Sequence, residues 1–153
     1  MCIVFRARVE RKMIEDLNVV ASLLLERFPE LQGRLQECFG SYYDLKKELP
    51  DPYPVFEDVL QHIVLELLDK NEGASFLARV FVFLEEMAGS SNRGITDLLG
   101  IAIVDQLVLS RERLARAWQY MGKKTKDMAR EAARLAGHPE NLPLGEGLPG
   151  NGH

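Results

Sequence analysis

Three side chains that could bind a metal or move a proton follow one another in the middle of the chain. Asp58, His62 and Glu66 are spaced four residues apart in a stretch with helical periodicity, so they share one face of a helix. A metal site would need further ligands from a second helix, as in bundles with a repeated Glu-x-x-His pattern, and the sequence has no such pattern. We therefore interpret this row as a solvent-exposed polar stripe.

A second candidate for chemistry is the adjacent pair Glu85 and Glu86 in FLEEMA, since paired carboxylates can act as general acid and base. Neighbouring residues of a helix point about 100° apart, so these two cannot act on one substrate in the usual way. The sequence also contains no P-loop, no GxGxxG motif after a strand, and no HExxH or GxSxG motif. We therefore predict that the protein is not an enzyme and has no catalytic residue, no cofactor and no metal ligand.

Charge is distributed unevenly along the chain, although the net charge is only −4. Residues 51–110 contain three bases and ten acids, whereas residues 111–135 contain eight bases and three acids. This asymmetry either steers a charged partner toward the protein or reflects internal pairing between adjacent helices. The middle segment predicts an acidic patch for a basic protein partner, with these candidate binding residues: Glu57, Asp58, Glu66, Asp69, Glu85, Glu86, Asp97 and Asp105.

Asp105 is unusual within this set because it lies in IAIVDQLVL, where its neighbours are predicted to be buried. A buried carboxylate must be hydrogen-bonded or paired, so Asp105 is expected either to fix a helix contact or to line a functional groove.

The basic stretch GKKTKDMAREAARL could contact the phosphates of a nucleic acid. The chain as a whole is acidic, however, and no aromatic residue interrupts the stretch. We interpret its bases as a solvated helix face and expect no direct contact with nucleic acid. The bases concerned are Lys123, Lys124, Lys126, Arg130 and Arg134.

Apolar residues recur at helical spacing almost throughout the sequence. The pattern predicts a single-domain, all-α bundle of about six to seven helices packed as successive αα-hairpins, and a short solenoid-like stack remains open. Asp51, Asn71 and Ser110 are the predicted N-caps. The predicted helices are 13–28, 29–40, 55–69, 72–88, 95–108, 110–122 and 123–135, of which 72–88 and 95–108 should form the centre.

Composition divides the chain into a helical domain, residues 1–136, and a Gly/Pro-rich tail, residues 137–153, which is predicted to be disordered or to act as a docking peptide. No apolar run is long enough to span a membrane, and the order of apolar and basic residues at the start does not fit a signal peptide. We therefore expect a cytoplasmic protein. The apolar helices suit a dimer interface as well as a monomer core, which leaves the oligomeric state open.

Four segments resemble, in sequence and order, a family of small uncharacterised all-helical bacterial proteins. They are ERFPEL, LPDPYPVFEDVLQHIVLELL, FLEEMAGSSNRGITDLLGIAIVDQL and AWQYMGKKTKDM. The resemblance covers residues 13–131 and is clearest in FLEEMA, in the apolar helix ending in acid-x-Leu, and in YMGKKT. The family usually has glutamate as that acid, where this chain has Asp105.

Proteins of this family are similar to the immunity components that bacteria encode beside polymorphic secreted toxins. The resemblance implies a toxin-neutralising protein that binds the catalytic domain of a cognate toxin, such as a nuclease or another nucleotide-handling toxin, and blocks its active site. The implied partner is a protein with a basic binding surface. The alternative is a helical adaptor or scaffold that joins protein partners without inhibiting an enzyme.

Overall fold

The computed structural model describes residues 13–145. These residues form one all-α domain without strands, as the sequence predicts. Short 3-10 turns at Met13–Glu15 and Pro29–Leu31 precede the first two helices. The seven helices are α1 (Val20–Arg27), α2 (Gln32–Phe39), α3 (Pro52–Lys70), α4 (Ala74–Ala88), α5 (Arg93–Leu107), α6 (Arg111–Trp118) and α7 (Lys123–Leu135). None of the helices described is long and apolar enough to cross a membrane.

Helix α5 is the centre of the bundle, because it packs against α3, α4, α6 and α7. Contacts also join α3 to α6 and α4 to α7, which are distant in sequence. The helices therefore enclose one common core. Burying each large apolar side chain contributes about 1.5–3 kcal/mol. The buried residues of α5 are Ile95, Leu98, Leu99, Ala102, Ile103, Val104 and Leu107.

The two helices α3 and α5 each contain a wider, π-helical stretch, and these stretches pack against each other. They are Val55–Leu60 in α3 and Gly100–Val104 in α5. Gln61 of α3 donates a side-chain hydrogen bond of 2.6 Å to the backbone carbonyl of Ala102. A polar contact thus fixes how α3 and α5 lie against each other in an otherwise apolar interface.

The predicted start of the first helix is wrong. We expected it to begin at Met13, but α1 begins at Val20 and follows a turn. The Asp16 carboxylate accepts a hydrogen bond from the backbone N–H of Asn18 at 2.9 Å. Side chains of this kind offer the backbone an alternative to helical hydrogen bonds, which ends the helical pattern there.

The predicted N-cap at Asn71 is also wrong. Asn71 terminates α3 in the left-handed conformation with φ 55°, which asparagine tolerates better than most residues. Gly73, with φ 71°, occupies the N-cap position of α4 instead. Two residues with positive φ thus lie in the short link between α3 and α4.

The first part of the predicted tail packs on the bundle. Residues Pro139–Asn141 form a 3-10 turn, and the Asn141 side chain donates a 2.8 Å hydrogen bond to the carbonyl of Val108. Leu142 is buried. The tail is therefore ordered at its beginning because one apolar side chain and one amide find partners on the bundle. The prediction of disorder for residues 146–153 lies outside the described residues.

The N-cap predicted at Ser110 is confirmed, since its hydroxyl accepts a hydrogen bond from the backbone N–H of Arg113 at 3.2 Å. We expect Ser110→Ala to lower the free energy of unfolding by about 1 kcal/mol, because a backbone donor of α6 loses its acceptor. Urea denaturation measures this loss. Ser75→Ala, at an exposed site on α4, is the control, and equal stability of the two variants would contradict the assignment.

Candidate partner-binding surface

The polar stripe predicted on α3 is present. Asp58, His62 and Glu66 are all exposed, because the opposite side of α3 packs into the core. Glu57 is half-buried beside them. Within residues 13–145 no group of three or more metal-ligating side chains comes together. The stripe therefore presents carboxylates and one imidazole in a row on an open helix face.

A matching exposed stripe follows α5, where Asp97, Ile101 and Asp105 are spaced four residues apart. Two expectations from the sequence are wrong here. Asp105 is exposed, not buried, and Ile101, expected in the core, is 49% exposed. The reason is that neighbouring helices cover most of the circumference of α5 but leave this narrow strip open to solvent.

Because α3 and α5 pack against each other, their two stripes lie on adjacent helices. We call the carboxylates of these two helices the acidic face: Glu57, Asp58, Glu66, Asp97 and Asp105. The structure thus assembles five of the eight predicted binding residues on one pair of helices.

Pairing within the acidic face is incomplete. Glu66 forms a 3.0 Å ion pair with Lys70, whose hydrogen bond holds the pKa of the Glu66 carboxyl below its ordinary value. Asp97 lies 4.0 Å from Arg93. Both pairs are exposed and join residues of the same helix, so each contributes little to stability. The remaining carboxylates, Glu57, Asp58 and Asp105, form no ion pair with any residue of the described chain.

Glu85 has a different role, because its carboxylate caps the N-terminus of α7. It accepts hydrogen bonds from the backbone N–H groups of Lys124 at 2.9 Å and Thr125 at 3.0 Å, and from the Thr125 hydroxyl at 3.0 Å. A carboxylate at a helix N-terminus is favoured by the unsatisfied donors there and by the helix dipole. Glu85 therefore belongs to the fold and not to the acidic face.

Gly122 makes this cap possible. It stands at the N-cap position of α7 and supplies no capping side chain of its own. A Cβ atom added at Gly122 would lie 2.4 Å from Cδ of Glu85, which is far inside van der Waals contact. The glycine in YMGKKT and the first glutamate of the FLEEMA pair are thus two halves of one contact between α4 and α7.

Glu86 is also committed to an internal contact. Its two carboxylate oxygens each accept a 3.0 Å hydrogen bond from the guanidinium of Arg27 on α1. The same guanidinium lies 5.1 Å from the ring centroid of Phe83, where the aromatic face attracts a cation. The bidentate pair of Arg27 and Glu86 fixes α1 against α4 at the edge of the core.

Asp69 joins α3 to α6. Arg113 donates two hydrogen bonds to its carboxylate, at 2.9 and 2.7 Å, and Arg116 donates to the carbonyls of Leu68 and Asp69 at the end of α3. The hydrogen bond from Arg113 holds the pKa of the Asp69 carboxyl below its ordinary value. Asp69 is thus a link between helices, and Arg116 satisfies carbonyls that the helix end leaves free.

The bases of α7 are mostly engaged within the chain. Asp127 pairs with Lys123 at 3.2 Å and with Arg130 at 2.7 Å. Lys126 and Arg130 lie 5.4 and 5.5 Å from the ring centroid of Trp118. The sequence did not indicate that Trp118 contacts these bases, because this residue precedes the basic stretch and lies on α6. These contacts leave a smaller basic surface than the count of lysines and arginines suggests.

Comparison with known proteins identifies a family. A family model described as "Domain of unknown function (DUF7674)" matches residues 21–135. The match runs from α1 to the last residue of α7 and includes Arg27, Glu85 and Gly122. No curated protein and no solved structure matches the chain.

Removal of the Glu85 cap should destabilise the whole domain. We expect Glu85→Ala to lower the free energy of unfolding by about 2 kcal/mol, because three donors at the start of α7 lose a charged acceptor. Gly122→Ala should also be destabilising, by about 1–3 kcal/mol, because its methyl group displaces the carboxylate. Glu26→Ala, at an exposed site on α1, is the control in urea denaturation. A Glu85→Ala variant as stable as that control would contradict the cap.

The link between Asp69 and Arg113 should make stability pH-dependent on the acid side. Since the folded state lowers the Asp69 pKa, the contribution of the pair is present above the pKa of the unfolded chain and disappears as pH falls through the folded pKa. We expect Asp69→Asn to be slightly less stable than the native chain at about pH 6 and equally stable near about pH 2. Denaturation across this range measures the difference, with exposed Glu48→Gln as control. A difference that persists in acid would contradict the assignment.

Proposed function

We propose that this chain, which belongs to the DUF7674 family, is a non-enzymatic immunity protein that binds and occludes the catalytic domain of a cognate bacterial toxin. The observation that carries the proposal is the acidic face, in which Glu57, Asp58 and Asp105 have no ion-pair partner in the described chain. The resemblance of FLEEMA and YMGKKT to proteins similar to immunity components supplies the class of partner. On this proposal the protein acts in the cytoplasm, where its toxin would act.

The acidic face suits a toxin whose active site contains lysine and arginine side chains for binding phosphate. Carboxylates on a partner accelerate encounter with such a surface and favour it over an acidic one. The bases that the toxin uses for its substrate would pair with Glu57, Asp58 and Asp105, so substrate and inhibitor would compete for the same groups. A nuclease or another nucleotide-handling toxin fits this requirement best.

The platform that presents the carboxylates is fixed before any partner binds. The contact between Gln61 and Ala102 joins α3 to α5, and the Asp69–Arg113 pair joins α3 to α6. A preorganised surface loses little conformational entropy on binding, which favours tight association. Such rigidity is useful to a stoichiometric inhibitor, which must remain bound to its target.

A helical adaptor is the second candidate function. Large apolar side chains are exposed on elements outside the acidic face, including Tyr42, which is 82% exposed, and Val82 of α4, which is 60% exposed. An adaptor needs a second contact surface of this kind, whereas an inhibitor of one enzyme needs only one.

Co-expression tests the two candidates directly. The gene would be expressed with its immediately upstream open reading frame, and survival would be scored with and without this protein. The immunity function requires that the upstream product be toxic alone, harmless in the presence of this protein, and recovered with it as a complex. An upstream product that is harmless alone and does not co-purify would contradict the immunity function and favour the adaptor.

Charge reversal then tests the acidic face. We expect Asp58→Lys with Asp105→Lys to weaken binding of the toxin by at least about tenfold, mainly through slower association, and to reduce the dependence of that rate on salt. Glu26→Lys with Glu48→Lys is the matched control, because it changes net charge equally at two exposed sites elsewhere. Surface plasmon resonance at several salt concentrations measures both pairs. Equal effects of the two double variants would exclude the acidic face as the interface.

A further inference from the structure

An apolar groove lies between α5 and α7, directly beside the acidic face. Its volume is about 370 Å³, and Val104, Met128 and Ala132 supply its apolar lining. Leu135 stands at one end of the groove and is 80% exposed. The protein thus leaves apolar surface uncovered between two of its main helices.

Gly100 keeps this groove open. The residue has ordinary helical dihedral angles, φ −61° and ψ −52°, so its conformation does not require glycine. A Cβ atom added there would meet only the terminal methyl of Met128, at 3.7 Å, which is ordinary contact. Glycine inside a helix is destabilising relative to alanine, yet neither backbone strain nor close packing explains its presence. What the missing side chain provides is space in the groove.

Among the residues that the structure describes, the charged side chains that line the groove are all acidic: Asp105, Asp127 and Glu131. The carboxylates of α7 have partners on their own helix, since Asp127 pairs with Lys123 and Glu131 pairs with Arg134 at 2.8 Å. Asp105 has no partner in the part of the chain that the structure describes. An occupant of the groove therefore encounters an apolar floor and an unpaired carboxylate at the rim.

We propose that this groove anchors one large apolar side chain of the protein partner, flanked by lysine or arginine side chains that pair with Asp105 and the other rim carboxylates. The proposal rests on the proposed function and specifies the chemistry of its partner. Interfaces of this kind commonly have a large apolar or aromatic anchor surrounded by polar contacts. Asp105 lies both in the acidic face and at the rim, so one partner can engage both.

Two matched pentapeptides test the groove without the toxin. The probes are Lys-Lys-Trp-Lys-Lys and Lys-Lys-Ala-Lys-Lys, titrated into the ¹⁵N-labelled full chain and followed by NMR. The tryptophan peptide should shift the amide signals of Gly100, Val104, Met128 and Ala132 and bind at least about tenfold more tightly than the alanine peptide, because only the former carries an anchor. Equal binding of both peptides, or signal changes confined to other helices, would overturn the proposal.

Variants that change the groove provide a second test of the proposal. Gly100→Leu should weaken binding of the tryptophan peptide by at least about tenfold, whereas Gly33→Leu should leave it unchanged, since Gly33 is a helical glycine on α2 with nothing within 4 Å. Asp105→Asn removes the rim charge without filling the groove and should also weaken binding. Unchanged affinity in both Gly100→Leu and Asp105→Asn would overturn the proposal.

Measurements of toxin binding and toxicity show whether the groove proposal and the immunity function fail separately. If the native chain protects cells and Gly100→Leu binds the toxin equally well, the groove proposal fails while the immunity function stands. If the upstream product is harmless, the immunity function fails, and the peptide titrations still decide the groove. A native dimer that Gly100→Leu converts to monomer would identify a second copy of the chain as the occupant and overturn the proposal.

Discussion

Helix α7 depends on a carboxylate from another helix. Its N-cap position is occupied by Gly122, which offers no side-chain acceptor, and Glu85 of α4 supplies the acceptor instead. Backbone N–H groups at the start of a buried helix need acceptors. The Glu85 carboxylate provides them, and this favours both the start of α7 at this point and its packing against α4. The position of α7 in turn defines one wall of the groove that Gly100 leaves open on α5. The contact between Glu85 and the start of α7 thus helps to position one wall of that groove.

Six of the eight candidate binding residues form two groups that differ in what their carboxylates contact. Glu85, Glu86 and Asp69 are each held by donors from a different helix, so they connect elements of the fold. Glu57, Asp58 and Asp105 have no such donors in the described chain; Asp58 and Asp105 are exposed to solvent, and Glu57 is half-buried. The sequence allowed two explanations for the many acids in residues 51–110, which were internal pairing and an acidic surface for a partner. The first group is paired internally, and the second group is available for the surface.

Sequence patterns predicted what depends on local spacing. The all-α class and the Ser110 cap follow from periodicity and from short-range hydrogen bonding, and the structure has both. Contacts between distant residues were beyond such reasoning: nothing in FLEEMA indicates that Glu85 reaches a helix start 39 residues later. The exposure of Asp105 was missed for a related reason. A helix that is apolar on most sides does not reveal which strip its neighbours leave uncovered, since that depends on how they surround it.

Helix α5 connects the two surfaces on which the proposals depend. Gly100 opens the groove, Ile101 is half exposed, and Asp105 belongs to both the acidic face and the groove rim. Gly100 and Ile101 lie in the π-helical turn of α5 that packs against α3, and Asp105 follows it directly. Such turns are frequent at functional sites. A protein that covered only the acidic face would leave Ile101 and the groove in water. A single partner with cations beside an apolar anchor would cover all of them at once, which makes one continuous interface the simpler account of this helix.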